Sequence, residues 1–187
     1  MDIAYGSDFA KKFVTNVGLI TSSGKYGQNI MACEWTHHIS YVQGLIAICV
    51  NRENESYNNI HKSKEFGVNL CATNQTVLSS VAGGNTGREY DKIAALKELG
   101  FEFYKAKKIN VVMVKGASLN VECKVIQEIA LPEHTLFIGQ TVEVKENKGK
   151  QSLGFHAGMY WRLEQQIPKP SDKQKARIKE VVQKHKR

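Results

Sequence analysis

Proline is scarce in this chain: three residues in 187, with Pro132 alone in the body and Pro168 and Pro170 close together near the C-terminus. Long apolar runs are missing as well. The longest, Leu45 to Val50, falls far short of the ~20 residues that a membrane helix needs, so no membrane partner is expected. The N-terminus lacks the basic start, apolar centre and small-residue cleavage site of a secretory signal, which points to a cytoplasmic chain. Cys33, Cys49, Cys71 and Cys123 are widely spaced and form no Cys-x-x-Cys pair, so they read as reduced thiols and not as a disulfide frame. No cluster of ligands has zinc spacing, and His37 and His38 point to opposite sides of a strand; no metal is expected.

Several catalytic signatures are also absent. Gly24-Lys25 resembles the end of a phosphate loop, but Leu19 and Tyr26 stand where that motif needs Gly and Ser or Thr. Gly83-Gly84-Asn85-Thr86-Gly87-Arg88 is rich in glycine without being Gly-x-Gly-x-x-Gly, so no dinucleotide fingerprint is present. No Gly-x-Ser-x-Gly elbow occurs. The formal net charge of +8 invites a nucleic-acid reading until its distribution is examined. From Pro168 to Arg187 eight basic residues face Asp172 and Glu180, a net of +6, which leaves +2 on residues 1–167. The excess belongs to a tail, and nucleic acid is a less favoured partner than a purely solvated role for that tail.

At 187 residues and 42% hydrophobic, the chain is suited to a single core. Two units are expected: a folded body over 1–167 and a basic tail helix over 168–187, opened by Ser171 with Gln174 at capping-box spacing. In the body, Val14 to Thr21 and Asn29 to Thr36 read as strands, and Leu45 to Val50, apolar throughout, reads as a strand buried on both faces. Helices are expected over Glu55 to Lys64, Thr76 to Ala82 and Glu89 to Leu99, the last stopped by Gly100, with a strand from Phe66 to Cys71. Alternation around Leu119 to Val125 and Leu136 to Val144 suggests a long hairpin across Pro132, and Met159 to Leu163 a final strand. The pattern fits a mainly β antiparallel barrel with inserted helices, although the strand and helix alternation in the middle also allows a parallel sheet.

Two segments have the chemistry to hold an anion. Asn51-Arg52-Glu53-Asn54-Glu55-Ser56-Tyr57 leads from the buried strand into a helix, where amide, hydroxyl and guanidinium groups can meet a phosphate; Asn54 or Ser56 could equally be plain N-caps. The loop from Gly83 to Arg88, with Lys92, can cradle an anion or be a simple connector. His134 is either a turn residue or a contact to substrate.

Taken in order, Gly18-Leu19-Ile20-Thr21-Ser22, Asn29 to Trp35, Asn51 to Tyr57 with Glu65 to Leu70, Thr86 to Lys92, and His134 to Gly139 resemble the flavin reductase-like family over residues 10–163. That resemblance implies an FMN-binding split β-barrel, Greek-key-like and antiparallel, with inserted short α-helices and a C-terminal helix. It further implies electron transfer from NAD(P)H as co-substrate through bound FMN to free flavin, ferric complexes or a partner protein; a flavoredoxin-like electron carrier without nicotinamide is the alternative. Asn29, Ile30, Met31, Ala32 and Cys33 would line the flavin ring, with Trp35 in the wall and Cys49, Val50 and Asn51 on the next strand. Asn54 and Ser56 would hold the phosphate with Arg52 nearby. Thr86, Gly87, Arg88 and Lys92 would approach the same cofactor, and His134 and Cys49 would lie near the reacting side. A homodimer is implied too. The chain departs from the family pattern at Tyr41-Val42-Gln43, where proline is frequent, and at Thr86, where serine is.

Overall fold

The fold is described from a computed structural model covering residues 2–186. Short β1 (Val14–Asn16) leads through Val17 into β2 (Gly18–Gly24), which turns into β3 (Gly27–Cys33). Next come β4 (Thr36–Ser40), β5 (Leu45–Asn51), α1 (Glu55–Ser63), β6 (Glu65–Leu70), α2 (Thr76–Gly84) and α3 (Lys92–Glu98). The last part holds β7 (Phe103–Lys105), β8 (Val112–Val114), the long pair β9 (Leu119–Ala130) and β10 (His134–Glu146), β11 (Gly154–His156), β12 (Met159–Trp161) and α4 (Asp172–Lys184).

Seven strands form one sheet in the order β3-β2-β6-β9-β10-β5-β4, and every pairing in it is antiparallel. The protein is mainly β, and the parallel alternative is excluded. The expected strand from Asn29 to Thr36 is broken at Glu34 and Trp35, because there the chain turns a corner between two partners. Residues 29–33 pair with β2, and Thr36 opens the next strand, which pairs with β5. The corner brings the sheet back on itself: Cys49 N donates to the Trp35 carbonyl at 3.0 Å, and Cys33 Sγ lies 3.5 Å from the Cys49 carbonyl. The result is a barrel whose wall is incompletely joined between β3 and β5.

Val14 to Thr21 is likewise two strands. Residues Val14 to Asn16 pair with β11 in a separate three-stranded sheet, and Gly18 opens the main-sheet strand. A Cβ at Gly18 would lie 2.3 Å from Thr36 Oγ1, so the crossing needs a residue without a side chain. The helix expected from Glu89 begins only at Lys92, where the Asp91 carboxylate accepts from Ala94 N at 2.9 Å and sets the start.

Apolar side chains divide into two main cores. Ile20, Ile48, Val50, Phe66, Val68, Val121, Cys123 and Phe137 fill the barrel interior, and Ile60 of α1 packs into the same cluster. On the other side of β2 and β3, Leu19 and Ile30 pack against Leu78 and Ala82 of α2 and Ile93 and Leu96 of α3. This second core presses α2 and α3 against β3, which fixes the loop between them at the barrel edge. The α4 helix has the expected capping box at Ser171 and Gln174, but none of its residues is buried.

Candidate functional site

Where α1 starts, three parts of the chain converge on one cavity of about 50 Å³. β3 contributes Asn29, Met31 and Ala32; the beginning of α1 contributes Asn54, Glu55 and Ser56; the end of α2, the following loop and the first residue of α3 contribute Ala82, Gly83, Asn85, Thr86, Gly87 and Lys92. Asn54 sits at the N-cap position, but its side chain caps no amide; Tyr57 N donates to the Asn54 carbonyl at 3.0 Å, and the Glu55 and Ser56 N–H groups at the start of α1 keep their donor capacity. Asn29 Nδ2 donates to Ser56 Oγ at 3.0 Å. That bond uses the Ser56 oxygen as acceptor and leaves its O–H free to donate into the cavity.

Lys92 stands out in this setting. It is only 4% exposed and donates from Nζ to the carbonyls of Ala82 at 3.1 Å and Asn85 at 3.0 Å. Burial lowers its pKa from 10.5 to about 8, since an ammonium loses hydration there. Two neutral carbonyls do not balance its charge, and an anion in the cavity would. Arg88 lies at the outer side, with Nε donating to Glu55 Oε2 at 3.2 Å. Gly87 approaches so closely that a Cβ there would lie 2.4 Å from Asn29 Oδ1. The donor set of hydroxyl, amides and a buried cation is of the kind that holds a phosphate monoester. The residues present therefore fit the phosphate of a flavin mononucleotide.

The remaining expected residues fall into other groups. Trp35, Cys49, Asn51 and His134 gather at the corner of the barrel: His134 is opposite Asn51 in the β5–β10 pairing, and its ring centroid is 5.0 Å from that of Trp35. Trp35 is 51% exposed, so the pair offers an aromatic wall to solvent or to a ligand. Cys49 is half-buried and burial raises its pKa, which keeps it as a thiol at neutral pH. Burial likewise pushes the Cys33 thiol up to about 11. The Ile30 and Val50 side chains are fully buried in the two cores, so only their backbone can face a ligand.

Arg52 does not line this cavity. Its guanidinium donates to the carbonyls of Leu131 at 2.6 Å, His134 at 2.9 Å and Pro132, clasping the turn between β9 and β10. Gly83 and Asn85 line the cavity as part of the loop expected to cradle an anion, whereas Ala82 and the Glu55 carboxylate between Asn54 and Ser56 line it without having been assigned a role from sequence. The spacing of Lys92 and Leu96, four residues apart on a short helix, carried the signal that Lys92 is turned inward.

Comparison with known proteins agrees with this picture. Residues 10–164 match the family model described as Flavin reductase like domain. A ferric-chelate reductase (NAD(P)H) of Archaeoglobus fulgidus is 29% identical over 113 residues, which cover 59% of this chain and 63% of the relative. An FMN reductase (NADH) of Pseudomonas syringae is 21% identical over 152 residues, covering 81% of this chain and 82% of that protein. Among solved structures, the flavoredoxin of Desulfovibrio vulgaris superposes with a TM-score of 0.76 at 20% identity, covering 92% of this chain and 98% of its own. On its antiparallel barrel and the family match over most of its length, this chain belongs to the flavin reductase-like family.

Proposed function

We propose that this protein binds FMN and passes electrons from NAD(P)H through it to an acceptor: free flavin, a ferric complex or a partner protein. The observation that carries the reading is the convergence on one cavity of the α1 N-terminus, the Ser56 hydroxyl and the buried Lys92. Asn54, Ser56 and the first-turn amides bind the phosphate, and Lys92 neutralises it. Met31 and Ala32 of β3, beside that anchor, and the strand backbone beyond them would hold the flavin ring. Bound FMN supplies the hydride-accepting chemistry, so no protein acid or base is required. His134 and Trp35 supply the wall that positions nicotinamide and excludes water, and Cys49 and Asn51 border the same space.

The names of the two reductase relatives support nicotinamide as donor. Exposed Trp35, Ile39, Ile129 and Leu131 support a homodimer that covers this apolar surface. Four free cysteines are in keeping with a cytoplasmic setting. Among the described residues no helix is long and apolar enough to cross a membrane.

The test is anaerobic mixing of the FMN-loaded protein with NADH and, separately, NADPH, following absorbance near ~450 nm, the usual flavin band. Bleaching at catalytic rates with either donor is expected. Protein that binds FMN but is not bleached by either would sink the reductase reading in favour of a carrier, and protein with no affinity for FMN would sink both.

A further inference from the structure

A larger cleft of about 320 Å³ opens on the other side of Ala32 and Gly83, the two residues it shares with the anion cavity. Its walls are aromatic: Phe155 of β11 and Tyr160 of β12, with ring centroids 5.8 Å apart, and Tyr5 at the rim. Tyr160 Oη donates to Ser79 Oγ at 3.1 Å, which ties the β11–β12 hairpin to α2 and holds the tyrosine ring against the cleft. Gly84 closes α2 on the cleft side, and a Cβ built there meets no heavy atom within 4 Å.

One carboxylate belongs to this space. Glu34, at the corner between β3 and β4, lines the cleft half-buried, and it takes part in no ion pair or side-chain hydrogen bond among the described residues. Burial alone raises its pKa, with no cation or donor acting against it. A carboxylate short of a partner in a cleft lined by three aromatic side chains is a combination that attracts an aromatic or ammonium cation. It repels anions for the same reason. The anion cavity next to it has the opposite preference, so the two spaces select different chemistry across a boundary two residues wide.

We infer that the cleft between β3, α2 and the β11–β12 hairpin is a second binding site, which takes a planar aromatic cation with Glu34 as counter-ion and Phe155, Tyr160 and Tyr5 as its walls. The inference is independent of the flavin reading.

Three bicyclic probes of nearly equal size test it on the full chain: N-methylquinolinium as the cation, quinoline as the neutral ring and 1-naphthoate as the anion. Binding is measured by calorimetry with and without saturating FMN, and in the Glu34→Gln and Gly84→Phe variants. Their folding is checked by thermal unfolding, and FMN affinity is measured in the same samples. Expected results are binding of the cation about tenfold or more tighter than the neutral ring, in line with a cation–π contact joined to a charge-assisted contact. Glu34→Gln should remove that preference, and Gly84→Phe should abolish binding by filling the cleft, while both variants stay folded. Equal affinity for all three probes, or no binding of the cation, overturns the inference. Displacement of the cation by FMN also overturns it, because the cleft would then be the seat of the flavin ring itself. Failure of FMN to bind while the cation still binds refutes the flavin reading alone.

Discussion

Lys92 offers the sharpest handle on the anion cavity, because its protonation is coupled to whatever sits beside it. In the ligand-free protein burial lowers its pKa to about 8. A phosphate monoester carries about −2 charge above pH 7 and would raise that value in the complex, so binding above pH 8 must take up a proton. Affinity is then constant below the free pKa and falls as pH rises through it. From pH 7 to pH 9 the dissociation constant for FMN should increase roughly tenfold, one pH unit of deprotonation having to be reversed on binding. Lys92→Met keeps the length of the side chain and removes the charge. In that variant FMN should bind about 10- to 100-fold more weakly at pH 7, the loss of one charge-assisted contact, and the pH dependence should flatten. The assay is titration of FMN by its fluorescence, with calorimetry in buffers of different ionisation heat to count protons. A flat wild-type profile between pH 7 and pH 9, or a slope retained in Lys92→Met, refutes the assignment of Lys92 to the phosphate. The same residue gives a signed prediction for stability. Its folded pKa lies below the unfolded one, so the unfolded chain binds more protons between about pH 8 and pH 10.5, and the contribution of Lys92 to ligand-free stability rises with pH across that window.

Other parts of the molecule make separate predictions. Arg52→Met should destabilise the protein by about 1 to 3 kcal/mol in urea unfolding, since three carbonyls of the β9–β10 turn lose their common donor, and should change FMN affinity less than about fivefold. A large loss of FMN affinity at unchanged stability would show that Arg52 serves the phosphate after all. Gly139→Ala should cost about 1 to 3 kcal/mol or more, because the added methyl would lie 2.5 Å from the ring of Phe66, which is fully buried and has no room to yield. Removing residues 168–187 should leave the thermal midpoint within about 2 °C, as no residue of α4 is buried. A clear drop there would show that α4 packs against something in solution.

The limits of reading this chain from sequence follow from the range of the interactions concerned. Alternation along Asn29 to Thr36 reports a strand correctly, but alternation persists through a corner. Only the change of pairing partner from β2 to β5 reveals that Glu34 and Trp35 are the bend. β7 and β8, three residues each, are too short to show a period, and β8 is secured by a bond with no local signature: Asn69 Oδ1 accepts from Val114 N at 2.8 Å. The anion cavity divides the same way. Asn54 and Ser56 could be placed because a helix start has a recognisable composition and its amides are obligatory donors. Arg52, two residues before Asn54, looked equivalent, yet a guanidinium goes to the best arrangement of acceptors within reach. Here that is a set of carbonyls some eighty residues further along the chain, brought alongside by the register of β10 on β5. The burial of Glu55 beside Arg88 was hidden for the same reason, since it depends on the loop after α2 folding back over α1. Chemistry written into a helix end is therefore legible locally, whereas the choice among competing partners for a long charged side chain is made by the sheet.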